Sequence, residues 1–213
     1  MKRYIRSAVT PLADVELDIR REIARDPETS AEVLEQLYSD SIASTNWNNK
    51  YFIGLELAAN PNTPLHILEK LTHLDVDDRV RRQVAENPST PIELLKYLYR
   101  SPGSCDVWIA LAKNPNTPNN ILWELAKRDT TLEAFNSSYE CIREGVAMNP
   151  NTTSDILDYL STDRSAYVRA QVAKNKNTPI STLKRMLEDD KTYYVQDYLG
   201  KNPNINILLE EPE

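Results

Sequence analysis

One phrase recurs along the chain, Asn-Pro-Asn-Thr-Pro, each time between two apolar stretches. It reads Asn60-Pro61-Asn62-Thr63-Pro64, Asn87-Pro88-Ser89-Thr90-Pro91, Asn114-Pro115-Asn116-Thr117-Pro118 and Asn149-Pro150-Asn151-Thr152-Thr153. Weaker copies are Asp26-Pro27-Glu28-Thr29-Ser30, Asn175-Lys176-Asn177-Thr178-Pro179 and Asn202-Pro203-Asn204. A fixed phrase at a period of about 20 to 50 residues marks a stacked-repeat architecture. It restricts the fold because each copy is one supersecondary unit. Such a unit buries its apolar face only against its neighbours.

The central Pro, or Lys176 in its place, stands at 27, 61, 88, 115, 150, 176 and 203, at spacings of 34, 27, 27, 35, 26 and 27. The unit is therefore 27 residues, with two insertions near Ser41–Asn48 and Thr130–Ser138. Eight residues before the Pro stand Ile19, Ile53, Val80, Val107, Ile142, Val168 and Val195. Four before it stand Ile23, Leu57, Val84, Leu111, Val146, Val172 and Leu199, and three before it Ala, or Gly200 in the last copy. These spacings place one buried stripe on a helix. The Asn that follows is expected in the left-handed conformation that ends helices, with Pro blocking continuation.

A second helix follows the Thr. Leu34, Leu68, Leu95, Leu122, Leu157 and Leu183 stand five past it, and Leu37, Leu71, Leu98, Leu125, Leu160 and Met186 eight past it. Thr is expected to cap this helix, with Pro in its first turn. Thr90–Glu93 and Thr29–Glu32 have the spacing of capping boxes. The predicted fold is all-α, a single solenoid domain over 1–213 with about fourteen short helices. Residues 1–16 form a leading segment or cap, and repeats run over 17–40, 49–75, 77–102, 105–129, 138–163, 165–190 and 192–213.

Val80-Arg81-Arg82-Gln83-Val84-Ala85-Glu86-Asn87-Pro88-Ser89-Thr90-Pro91, followed by Leu95 and Leu98, resembles the motif of the leucine-rich repeat variant family, a bacterial α-solenoid. Val168-Arg169 through Leu183 matches almost as well, and the resemblance covers about nine-tenths of the chain. It implies a right-handed superhelix in which some helices are short or 3-10. The founding member of that family holds an iron–sulfur centre on an N-terminal cysteine cluster. The N-terminal segment here has no cysteine, so no cofactor carries over. The family supplies no shared activity, and a fold alone does not fix a function.

Composition narrows the function classes. The net charge of −7 disfavours non-specific nucleic-acid binding by the whole chain. No stretch approaches the length of apolar sequence that crosses a membrane. The basic start, Lys2, Arg3 and Arg6, has no apolar run behind it, so a cytoplasmic location is expected. Cys105 and Cys141 lie in consecutive repeats and are expected to be reduced.

Four arginines, Arg20, Arg81, Arg143 and Arg169, stand seven before the Pro, with Gly54 and Trp108 there in other copies. Near a buried stripe they are expected to form an ion-pair ladder between repeats, since buried charges need partners. A phosphate ladder is the alternative. On the outward positions of the second helix, Lys96, Arg100, Trp123 and Lys127 make a basic strip with an aromatic centre, flanked by Glu32, Glu35 and Glu69 on one side and Asp155 and Asp158 on the other. An exposed Trp rimmed by cations suits a partner contact or a stacked base, whereas a Trp lying against the next repeat is structural. The stretch around Phe52 and Leu55 is apolar nearly all round, which makes it a second candidate surface unless Trp47 or the leading segment covers it. His66 and His73 have no further ligands at metal-site spacing. No phosphate loop, nucleophile elbow or HExxH is present, and no catalytic residue, cofactor or metal is expected. The expected function is a non-enzymatic scaffold that binds a protein through one face. A nucleic-acid binder using the basic middle repeats is the first alternative, and an enzyme with a site in a concave groove the second.

Overall fold

The computed structural model describes residues 16–73, 76–128 and 137–205. They contain thirteen helices and no strand. All thirteen are α-helical, so the 3-10 helices expected from the resemblance do not occur among the described residues. The chain divides into two compact units, Met1–Thr90 and Pro91–Glu213.

In the first unit, α1 (Leu17–Arg25), α3 (Trp47–Ala59) and α5 (Asp78–Glu86) pack in succession, and α2 (Ala31–Ala43) lies against α1 and α3. The short α4 (Leu65–Lys70) follows α3. The first predicted insertion is largely helical. It lengthens α2 to Ala43 and starts α3 at Trp47, each of 13 residues, and leaves only Ser44 to Asn46 between them. In the second unit, α7 (Cys105–Lys113), α9 (Ser137–Met148), α11 (Ala166–Lys174) and α13 (Tyr193–Leu199) pack in succession. The intervening helices are α6 (Ile92–Arg100), α8 (Asn119–Ala126), α10 (Ser154–Leu160) and α12 (Ile180–Asp189). Of these, α8 packs on α10. Most of the second predicted insertion lies outside the described residues, as do residues 1–15 and the stretch after 205.

The predicted stripes are the core. Leu34, Ile53, Leu57, Val84, Leu95, Leu98, Leu111, Leu122, Leu125, Ile142, Leu157 and Val172 are essentially inaccessible to solvent. Ile19 is the exception at 38% exposed. In the second unit α7 and α9 come close enough to require Gly145. A Cβ built there would stand 3.0 Å from the Cβ of Ala112 and 3.3 Å from the Cγ of Lys113.

The recurring phrase works differently from the expectation. Among the described residues none has a positive φ, and the Asn residues are extended, with Asn60 at φ −75° and ψ 125°. The left-handed ending is unnecessary because the side chain, not a backbone reversal, satisfies the free groups. In the copies of Asn60, Asn87, Asn149, Asn175 and Asn202 the Asn amide nitrogen donates to two backbone carbonyls of the preceding copy. Asn87 Nδ2 donates to Ala58 O (2.8 Å) and Asn60 O (3.0 Å). Asn149 donates to Ala112 O and Asn114 O, Asn175 to Ala147 O and Asn149 O, and Asn202 to Ala173 O and Asn175 O. The Asn carbonyl oxygen meanwhile accepts the backbone N–H two residues on, as from Asn177 to Asn175 at 2.9 Å. The small residue three before the Pro is thus the site where a neighbouring side chain reaches the backbone.

The second Asn of the phrase repeats the theme outside. Asn62, Asn151, Asn177 and Asn204 donate to the carbonyls of Pro27, Pro115, Pro150 and Lys176. Thr is not an N-cap. The cap residue is the one after it, Ser30, Pro64, Pro91, Pro118, Thr153 or Pro179, so Pro precedes the helix instead of opening its first turn. The hydroxyls of Thr29, Thr63, Thr90, Thr117, Thr152 and Thr178 each donate 2.6 Å back to the carbonyl six residues earlier, near the end of the previous helix. Neither expected capping box forms, and Glu93 pairs with Lys96 instead. Burial explains the choice. Thr90 and Thr152 are completely enclosed, and helix-end carbonyls there have no water to turn to.

Replacing Asn175 by Ala removes three hydrogen bonds from a buried site. A loss on the order of 2–4 kcal/mol of unfolding free energy is expected, against about 1 kcal/mol or less for the exposed Asn177→Ala. Urea denaturation of both variants measures the difference, and equal midpoints would show that the buried ladder does not dominate.

Candidate functional site

Trp123 projects from α8 on the outward side, and the structure seats it against the next helix of the same row. Its ring meets Tyr159 of α10 edge to face, with centroids 5.1 Å apart and planes at 79°. Tyr159 is itself 48% exposed, so the pair forms a half-open aromatic surface. Lys127 places Nζ 5.0 Å from the Trp123 centroid and also lies 3.8 Å from Glu124. Lys96 and Arg100 remain on α6. Lys96 is bound to Glu93 at 2.7 Å, and neither residue forms a hydrogen bond, ion pair or ring contact with Trp123. The predicted strip of four therefore resolves into a Trp123–Lys127 centre with two separate cations. Beyond it, Asp158 accepts from the Thr182 hydroxyl and from Arg185, and these hold its carboxyl below the usual range.

The apolar surface around Phe52 and Leu55 is largely occupied from within the first unit. The Arg21 guanidinium lies 4.7 Å from the Phe52 centroid. Trp47 stacks on Tyr51 at 4.8 Å and 6°, and Arg79 lies over that ring at 4.7 Å. Leu55 keeps partial exposure. Arg21 and Arg25 both converge on Glu56, at 2.9 and 2.7 Å. Burial works to raise the Glu56 carboxyl, but hydrogen bonds from Arg25 and Arg21 outweigh it and hold the group below its ordinary value.

In the fifth and sixth copies the arginine binds an Asp of its own repeat, eleven or twelve residues past the Thr, and not of a neighbouring repeat as expected. Arg143 binds Asp163 through Nε (2.6 Å) and Nη2 (3.2 Å), with both side chains almost fully buried, and donates to the Arg128 carbonyl. Arg169 binds Asp190 at 2.6 Å, and Thr192 adds a further acceptor. The fourth copy reverses the arrangement. Trp108 occupies the arginine position, and Arg128 occupies the aspartate position with its guanidinium 3.6 Å from the Trp108 centroid. An ion pair is thereby replaced by a stacked cation on an aromatic ring. In the first copy Arg20 is 6% exposed and forms no ion pair among the described residues. Its counterpart Asp40 lies within the lengthened α2 and accepts from Gln36. Arg81 binds Asp78 at 2.8 Å within α5.

His66 and His73 are exposed, with His66 3.9 Å from Glu35. Among the described residues no group of three or more His, Cys, Asp or Glu gathers to hold a metal, and no helix is long and apolar enough to cross a membrane. Cys105 and Cys141 are free thiols. Sequence reasoning missed Tyr159, Asp163, Asp190 and Arg128. The recurrence of Asp40, Arg128, Asp163 and Asp190 eleven or twelve residues past the Thr was the available signal. Comparison with protein-family models, curated proteins and solved structures gives no match.

Arg143→Met leaves Asp163 buried without its partner, and a loss of about 3–5 kcal/mol is expected, mostly recovered in Arg143→Met/Asp163→Leu. Thermal or urea unfolding of the three proteins checks this, and a double variant as unstable as the single one contradicts the pairing. Because the folded pKa of Glu56 lies below its unfolded value of about 4.3, its stabilisation is full above that pH. It disappears as pH falls through the lower folded value. Glu56→Gln should flatten that part of the acid-unfolding curve, as followed by circular dichroism from pH 6 to pH 2.

Proposed function

We propose that this chain is a non-enzymatic interaction scaffold that binds a protein partner through the α8–α10 face centred on Trp123. The observation that carries the reading is the Trp123–Tyr159 pair with Lys127 over the indole. Large amphipathic rings, held by a neighbouring ring and still open to solvent, supply contact area at little entropic cost.

The architecture behind the proposal is an α-solenoid of the leucine-rich repeat variant kind, with the right-handed superhelix that the resemblance implies. The successive packing of α1, α3 and α5, and of α7, α9, α11 and α13, supports it, as does the backbone ladder between copies. A cytoplasmic location is part of the same reading.

The test is affinity capture with the wild-type protein and Trp123→Ala, with folding verified in parallel. A loss of about 2 kcal/mol or more in partner affinity without loss of structure is expected. Normal binding by a folded Trp123→Ala variant would place the contact elsewhere. A captured nucleic acid, with affinity falling steeply as salt rises, would replace the protein partner by a polynucleotide.

A further inference from the structure

The Asn ladder has a second effect, on the side chains beside it. One of the two ladder bonds of Asn149, Asn175 and Asn202 ends on the carbonyl of Ala112, Ala147 or Ala173. The residue after each of these alanines is therefore carried in register from copy to copy. These residues are Lys113, Met148 and Lys174, and Lys201 holds the same place in the last copy. Lys113 and Lys174 are exposed, and Met148 is 48% exposed.

A cation in the last turn of a helix is favoured by the helix dipole, which accounts in part for Lys113 and Lys174. It does not account for Lys176. That residue is exposed, lies in the turn beyond α11, and replaces the Pro found at 115, 150 and 203. Lys113, Lys174 and Lys176 form no ion pair with any described residue, Lys174 Nζ lying 5.6 Å from the Tyr198 centroid, whereas Lys201 is held by Asp197 at 2.7 Å. No Asp or Glu occurs within Lys113–Thr117, Met148–Thr152, Lys174–Thr178 or Lys201–Asn204. The first unit is different at this edge. It carries Asp26, Glu28 and Glu86, and its Arg25 is bound to Glu56.

We infer that this loop edge of the second unit docks an acidic, extended peptide segment with one apolar side chain between its acids. Charge complementarity selects the sign, since Lys113, Lys174 and Lys176 form no ion pair with a described residue and the four loop segments contain no carboxylate. Spacing selects the pattern. Packed helices lie about 8–10 Å apart, and three residues of extended chain cover about 10 Å. An acid opposite Lys113, an apolar residue three positions on opposite Met148, and a second acid three further on opposite Lys174 and Lys176 therefore keep register. A peptide fits better than a nucleic acid because between Lys113 and Lys174 the edge offers the thioether of Met148 where a strand would need another cation. The inference does not depend on the Trp123 face.

The probe is a fluorescein-labelled Glu-Ser-Gly-Leu-Ser-Gly-Glu peptide, read by anisotropy against the full-length protein. The control contains the same residues with the two acids adjacent. The ordered peptide is expected to bind more tightly than the control and to weaken with salt. Lys113→Glu/Lys174→Glu should weaken it by about tenfold or more, and Lys176→Gln by less. Met148→Ser should weaken the Leu peptide but not a version with Ser in place of Leu. These positions are exposed, and thermal unfolding verifies that the variants fold. Trp123→Ala should leave the peptide bound, which separates this edge from the α8–α10 face. Four results would each overturn the inference: no binding, indifference to the order of residues, equal binding by the double lysine variant, or displacement by oligo(dT) at lower concentration than by unlabelled peptide.

Discussion

The buried Asn side chain joins one copy of the repeat to the next through backbone rather than side-chain recognition. Its amide nitrogen donates to two carbonyls of the copy before, and its oxygen accepts the N–H that closes the following turn. Helix ends leave carbonyls without partners, and enclosed carbonyls cannot turn to water. Asn answers both problems with one planar group. The Ala three before the Pro, the extended backbone at the Asn and the tight α7–α9 approach at Gly145 are all consequences of bringing that group within reach.

Much of this was legible. The 27-residue period, the two apolar stripes and the helix pair all follow from spacing, and nearly every stripe residue is buried. The roles of Asn and Thr were not, because local rules for helix ends describe exposed termini. At an enclosed terminus a hydroxyl is worth more on the carbonyl behind it than on the amide ahead, as Thr90 shows with Val84. The Asp40, Arg128, Asp163 and Asp190 position was also missed, since its charge changes sign between copies. Only the partner seven before the Pro reveals why. Where that partner is Trp108, a cation belongs opposite it.

The candidate surface was legible in part. Trp123 and Lys127 do come together, but Tyr159 lies 36 residues away in sequence, and only the stacking of α8 on α10 brings it beside the indole. Arg100 and Lys96 shared the outward face by spacing alone, which does not decide whether neighbouring repeats bring side chains into contact. The apolar α3 was covered by Arg21 and Arg79, cations whose stems and planar heads lie over aromatic rings.

The ladder bonds end on main-chain oxygen atoms, which are the same in every copy whatever side chains surround them. A junction built this way does not distinguish one repeat from another. A 27-residue stretch duplicated or excised from one Asn to the next would leave each amide with an oxygen of the same kind to meet. Arrays of different length, with different outward residues, are thus accessible by recombination at the phrase itself without redesign of the joint.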